Sequence, residues 1–323
     1  MERRVYGPVP SRRLGLSLGV NNIPHKVCTY SCRYCQVGKS LKMQLQRQVF
    51  YEPEELVDEV KELLSKLQHK TDYPDYITVV PDGEPTLDIN LGSLIEQLKL
   101  LQVPVAVITN ASLINLPEVQ HDLLKADFVS VKADTFTFET WKTLNIPHKQ
   151  LDINQIADGI RDFRKKFTGK MVTETMLVRG INDSVSELKN TALYLESFGP
   201  DVAYVAIPTR PPAFNHVEPS DEATVNSAYH IFKEKIAHVE LLTGYEGNAF
   251  ASTGNFRDDL LSITAVHPMR EDAVLGLMQK TGASEDLLAM LLKEKLVEKL
   301  PYGGHAYYLK KFRQMIDRLT GSG

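Results

Sequence analysis

Cysteine is scarce in this 323-residue chain, with three residues, and tryptophan occurs once. No apolar run approaches the roughly 20 residues that a membrane-spanning helix needs. Glycine (19) and proline (17) stay near ordinary frequencies, which excludes collagen-like and low-complexity architectures. The remainder, 43% hydrophobic and 24% charged, suits a chain that folds around a core rather than a disordered one. The length allows two domains, or one α/β barrel with a small appendage.

The formal net charge of −4 hides a skew. Residues 1–49 hold nine Lys/Arg against one acid, Glu2, while the remainder carries 28 basic against 40 acidic residues. Such a skew points to an anionic neighbour of the N-terminal region, whether nucleic acid, phosphorylated substrate, cofactor or acidic redox partner, or else to a solvated basic face. Ser11-Arg12-Arg13-Leu14 looks like a twin-arginine export signal. The apolar stretch behind it is short and broken by glycine, and it ends in Asn21, Asn22, Pro24 and His25 without a small-residue cleavage site. It therefore reads as a buried strand, and a cytoplasmic location is expected.

The three cysteines carry the most information, because Cys28, Cys32 and Cys35 fall within eight residues in a C-x3-C-x2-C pattern. An odd, clustered set does not describe a disulfide framework; it describes thiolates converging on a soft metal centre. Two identities follow for that centre. A structural zinc needs four protein ligands, and His25 would complete a Cys3His set in a zinc-stabilised nucleic-acid-binding module, although such sites usually draw on two separated knuckles. A four-iron cluster on three cysteines instead leaves one iron open to a small molecule, which implies chemistry rather than electron storage.

The C-x3-C-x2-C loop, with Tyr34 before its last cysteine, resembles the signature of the radical S-adenosylmethionine (SAM) superfamily. The resemblance implies a [4Fe-4S] cluster on Cys28, Cys32 and Cys35, with SAM chelated to its unique iron. It further implies reductive cleavage of SAM to a 5′-deoxyadenosyl radical that abstracts hydrogen from a substrate. A reductant such as a flavodoxin or ferredoxin is the implied partner.

Independently of that resemblance, the chain reads as strand-helix units. Segments rich in β-branched residues lie at 16–21, 76–80, 104–109, 128–133, 171–177 and 202–207, with amphipathic helices at 54–67, 153–167 and 184–198, the last opened by a Ser184/Glu187 capping box. The expected fold is α/β: a partial (β/α)6 TIM-like barrel over residues 1–257, with its site at the carboxyl ends of the strands. After the second strand, Asp82-Gly83-Glu84-Pro85 is similar to the superfamily's Gly-Gly-Glu motif, Asp82 standing for the first glycine; Gly83 and Glu84 are thereby implied to hold SAM. The segment after the third strand assigns Asn110 and Ser112 to the same task. Strand alternation puts Glu174 and Met176 on one face, and a carboxylate inside a barrel needs a partner, for which Lys132 is the candidate, as an ion pair or as a SAM or substrate contact. Tyr34 completes the cofactor set, and Arg210 is a candidate for an anionic substrate group.

The opening at 7–13, the Gly83-Glu84-Pro85-Thr86 turn and Thr109-Asn110 together look like the branch containing wyosine synthase, which modifies transfer RNA. That branch carries a second cysteine set, absent here, so wyosine formation itself is not expected. The expected substrates are RNA, a phosphorylated molecule or, for a glycyl-radical activase or peptide modifier, a protein. Residues 258–323 read as a separate winged-helix-like module: helix 271–280 ended by Gly282, a helix from Ser284 to about 296, and a hairpin turning at 301–304. Its charges nearly balance, so a nucleic-acid footprint is weak. His267 and His305 read as surface or packing residues, and Tyr30 and Trp141 as packing residues.

Overall fold

A computed structural model describes residues 3–67 and 70–311. The chain opens with an antiparallel hairpin, β1 (Val5–Ser11) and β2 (Gly15–Val20). The cysteine loop follows, pinned by a short parallel pairing of β3 (Val27–Cys28) with β4 (Lys42–Met43). Helices and strands then alternate: α1 (Pro53–Lys66), β5 (Tyr76–Val79), α2 (Leu91–Lys99), β6 (Val105–Thr109), α3 (Pro117–Leu123), β7 (Phe128–Lys132), α4 (Phe138–Asn145), α5 (Ile153–Lys166), β8 (Lys170–Met176), α6 (Val185–Phe198), β9 (Val202–Ala206), α7 (Glu222–Lys233) and β10 (Val239–Leu242). The sheet order is β1-β2-β5-β6-β7-β8-β9-β10, parallel from β2 onward, and the sheet curls into a partial barrel.

The six expected strands are β2 and β5 to β9. The sheet adds β1 and β10 at its two edges. Pro8 and Pro10 make β1 read as a loop, but an edge strand has no neighbour on one side and tolerates missing N–H donors.

Alternation along the strands builds two apolar layers. Ile77, Val79, Val105, Val107, Val129, Val131, Ala203 and Val205 pack under the helices. Ala106, Phe128, Val172, Val202 and Tyr204 face the other way and form the barrel floor with Leu14 and Leu242. Leu14 belongs to the β1–β2 turn, so the hairpin tip is folded into the barrel beside the charged pair Arg12 and Arg13 that precedes it. Both layers are largely buried, which is why the strands read as mostly apolar runs.

Helix ends follow local chemistry in part: Ser284 stands at the N-cap position of the helix starting at Glu285, but its side chain makes no cap bond. Pro53 opens α1 at its first turn, and the Ser184 side chain accepts from Glu187 N–H at 3.3 Å at the start of α6. The reciprocal half of the expected capping box is missing, because the Glu187 carboxylate accepts from Thr135 Oγ1 at 2.8 Å. Tertiary contact outcompeted the local bond.

After β10 come α8 (Phe256–Thr264), β11 (Met269–Arg270), α9 (Glu271–Thr281), α10 (Glu285–Lys293), β12 (Val297–Tyr302) and β13 (His305–Lys310), with the strands in order β11-β13-β12. Gly282 ends α9 at φ +67°. The hairpin turns on Gly303 and Gly304 alone, both at positive φ, so Pro301 and Tyr302 extend β12 rather than joining the turn. This unit packs on β1: Tyr6 and Val9 share a cluster with Phe256, Leu260, Met269, Val274 and Leu291. Residues 312–323 of the expected C-terminal module lie outside the described residues. No helix among the described residues is long and apolar enough to cross a membrane.

Part of the N-terminal positive charge is consumed inside the fold. Arg4 pairs with Glu55 and Glu59, Arg13 with Glu174, and Arg47 with Asp122. These three of the nine basic residues in this region are thus paired with acids distant in sequence.

Candidate active site

The cysteine loop is gripped from two sides. On one, the C-terminal carbonyls of α4 accept from the loop: Ser31 N–H to Asn145 O at 3.1 Å and Arg33 N–H to Leu144 O at 2.9 Å. Loop carbonyls take two more bonds, Thr29 O from His148 N–H at 2.9 Å and Val27 O from Glu84 N–H at 3.2 Å. Trp141 on α4 donates to the Tyr30 hydroxyl at 3.2 Å, ring edge to face, as packing residues. On the other side stands Gly83. A Cβ there would lie 2.0 Å from Val27 O, so only glycine allows the cysteine strand to approach.

Each sulfur has its own hydrogen-bond donor. Asn110 Nδ2 reaches Cys28 Sγ at 3.6 Å, Asn145 Nδ2 reaches Cys32 Sγ at 3.4 Å, and Lys26 Nζ reaches Cys35 Sγ at 3.3 Å. All three thiols are free. Burial, with Glu84 adding to it, pushes the Cys28 thiol up to about 12, and burial with Asp134 raises Cys32 as well. Metal binding therefore has to displace protons from a site that disfavours bare thiolates.

Glu84 is the hub that ties the loop to the sheet. Its Oε1 accepts from Thr86 N–H (3.1 Å), Thr86 Oγ1 (2.6 Å) and Thr109 Oγ1 (2.5 Å), and its Oε2 from Asn110 N–H (2.8 Å). Burial raises its pKa against the pull of these donors. Asn110 then donates to Thr29 Oγ1 at 2.8 Å, and Ser112 Oγ, wholly buried, meets the same hydroxyl at 2.7 Å. Glu84, Asn110 and Ser112 thus converge on the cysteine loop, Ser112 through Thr29. Asp82 turns away, bonding Asn21 at 3.1 Å and His25 Nδ1.

The opposite wall holds the remaining predicted residues. Tyr34 donates to Asp134 Oδ2, which also accepts from Asn145 Nδ2 at 2.7 Å. Lys132 Nζ lies 5.0 Å from the centre of the Tyr34 ring and pairs with Glu174, the partner expected from strand alternation. Arg13 binds the second oxygen of Glu174. Despite burial, which opposes ionisation, Arg13 and Lys132 hold the Glu174 carboxyl at about 2. Arg210 stands apart, bonding Gln36 Oε1 at 2.8 Å and His267 Nε2 at 3.0 Å and pairing with Glu246.

Sequence reasoning missed Lys26, Asp134, Asn145, Arg13 and His267 in this assembly. Asp134, a carboxylate just past a strand end, and Lys26, nine residues before Cys35 in the cysteine segment itself, carried a signal in the sequence; the others arrive through tertiary packing.

The donor set fits an iron–sulfur group. Among the described residues no three Cys, His, Asp or Glu side chains are placed to hold a single metal ion. His25 Nδ1 bonds Asp82, as the second nitrogen of a metal-bound histidine also bonds a carboxylate. A cluster whose cysteines bind different irons needs no such convergence on one point.

Comparison with known proteins agrees with this chemistry. The UPF0026 protein MJ1312 of Methanocaldococcus jannaschii is 40% identical over 310 residues, 95% of this chain and 96% of the relative. A radical SAM methyltransferase from Sphaerobacter thermophilus shares the fold at TM-score 0.50 and 14% identity, covering 70% of this chain and 66% of that one. Streptococcus suis SuiB, solved bound to S-adenosylmethionine, shares it at TM-score 0.51 and 13% identity over 69% of this chain and 49% of that one. The family model for the Radical SAM superfamily matches residues 22–192, the stretch that holds the cysteine loop, Glu84, Lys132 and Glu174, and the chain belongs to that superfamily as an enzyme of the radical SAM class.

Proposed function

We propose that Cys28, Cys32 and Cys35 bind a [4Fe-4S] cluster with one iron left for SAM, and that Gly83, Glu84, Asn110, Ser112, Tyr34, Lys132 and Glu174 build the cofactor's surroundings. When bound and reduced, the cluster supplies the electron that splits SAM into methionine and a 5′-deoxyadenosyl radical, which takes hydrogen from the substrate. A small reductant such as a flavodoxin or ferredoxin provides that electron.

The observation that carries the reading is the separate donor on each of the three sulfurs, Asn110, Asn145 and Lys26. Hydrogen bonds to cluster sulfurs favour the reduced, more negative state, and Lys26 adds a positive charge beside Cys35. Glu84 and Asn110 fix the loop against β6, and Ser112 holds Thr29 in register. Lys132 and Glu174 carry their charges on β7 and β8, where a zwitterionic cofactor finds both signs. The C-terminal elements occur in winged-helix order and brace the loop after β9: Tyr302 donates to Pro208 O at 2.9 Å and Tyr307 to Thr209 O at 2.8 Å. This supports a role for residues 258–311 in completing the site.

The test is anaerobic reconstitution with iron and sulfide, then dithionite and SAM, with chromatography for 5′-deoxyadenosine. The wild type is expected to release the nucleoside and Cys32→Ala is not. A colourless, zinc-only protein, or a fully loaded cluster that leaves SAM intact, overturns the proposal.

A further inference from the structure

Beside the cysteine loop lies a cavity of about 180 Å³ whose walls come from three remote parts of the chain. The hairpin contributes Arg12, Arg13 and Leu14, the segment after Cys35 contributes Gln36 and Val37, and the C-terminal part contributes Val266 and His267. Val80 and Pro81, leading into the Gly83-Glu84 turn, form a further wall. Gln36 Nε2 donates to Val266 O at 2.9 Å and joins two of these parts.

The charged lining is lopsided. Three arginines, Arg12, Arg13 and Arg210, face one carboxylate, Glu246. Glu246 is shared between Arg210 and His267, the latter at 3.1 Å. Arg13 shares Glu174 with Lys132. Arg12 reaches only carbonyl oxygens, Leu242 O and, at 2.7 Å, Gly244 O; among the described residues no carboxylate stands at ion-pair distance from it. Arg210 Nε is buried without a partner. Arg13 and Arg210 each share a carboxylate while Arg12 has carbonyl partners alone, so the arginines outnumber the acids here, and their planar forks match oxyanions.

The cavity has room for a phosphate or a short carboxylate. We propose that this cavity is the seat of the substrate's oxyanion group, held by Arg12 and Arg210 with Arg13 behind them. The proposal rests on the enzyme reading above, since it places the substrate's charged end against the loop that carries the cysteines. Phosphate and carboxylate share the chemistry the arginines recognise.

Isothermal titration of the reconstituted, SAM-loaded protein at fixed ionic strength, with inorganic phosphate in one arm and succinate in the other, tests it. The wild type is expected to bind at least one of them, and the tighter arm identifies the group. Arg12→Gln and Arg210→Gln are each expected to weaken binding at least tenfold, Arg210→Lys by less, and Lys165→Gln on the exposed side of α5 not at all; thermal unfolding of each variant confirms that it is folded. No binding of either anion, equal binding by wild type and both glutamine variants, or displacement of SAM by the anion overturns the proposal. The same wild-type preparation is assayed for 5′-deoxyadenosine. Anion binding without SAM cleavage removes the enzyme reading and keeps the basic cavity, whereas cleavage without anion binding removes the cavity proposal alone.

Discussion

The cysteine loop and the arginine-lined cavity adjoin, yet they are assembled in opposite ways. The loop takes its three sulfurs from eight consecutive residues, and the groups that fix it are mostly neutral: Thr29, Asn110, Asn145 and the carbonyls of α4. The cavity takes its charges from the hairpin tip, from the loop after β9 and from the start of the C-terminal unit. A polynuclear cluster is captured by ligands that arrive together, so local spacing announces it. A field of like charges has to be gathered by the fold, because arginines adjacent in sequence repel and gain nothing until a carboxylate or ligand comes to meet them.

The contrast can be broken at several points. The largest effect is expected at the loop: Cys32→Ala removes a ligand that no neighbour replaces, and bound iron after reconstitution should fall to background, as measured by iron and sulfide analysis. Next is Glu174→Gln, which leaves the half-buried Arg13 and Lys132 without their shared anion and should cost about 2–3 kcal/mol in denaturant unfolding. The same carboxyl gives the charged region a pH signature. Its pKa is about 2 in the fold against an ordinary 4.5, so its stabilisation is present above about pH 5 and is lost as pH falls toward 2. Unfolding followed across that window should show a shallower acid limb in Glu174→Gln than in the wild type.

At the hub of the loop, Glu84→Gln turns an acceptor of four hydrogen bonds into a group with donors of its own, leaving Asn110 N–H or a threonine hydroxyl buried and unmatched. The expected loss is about 1–3 kcal/mol by denaturant unfolding. The smallest effect belongs to the periphery. Lys280→Ala removes an exposed ion pair to Asp72, 3.0 Å long, between α9 and the segment after α1 and should cost under about 1 kcal/mol. If it proved as costly as Glu174→Gln, the ranking of buried charge over surface charge would fail.

How much of this was legible depended on range. The six central strands were readable because they are buried and rich in β-branched residues, and the Glu174 to Lys132 pairing followed from alternation on neighbouring strands. The third member, Arg13, sits 161 residues before Glu174, and no local pattern links them. β1 was hidden by its prolines. Glu187 kept its place at the start of α6 but gave its carboxylate to Thr135. His267 read as a surface or packing residue, since nothing near it in sequence foretells Arg210 and Glu246. Asp134 is the clearest omission: a carboxylate at the end of β7 is where a barrel site collects polar groups, and it fastens Tyr34 to Asn145.

The central claim is that three cysteines leave one iron vacant for SAM, and electron paramagnetic resonance of the dithionite-reduced protein tests it most directly. The account predicts a reduced-cluster signal in the wild type whose line shape changes when SAM is added, with no signal in Cys32→Ala. A strong cluster signal that SAM leaves untouched would contradict it.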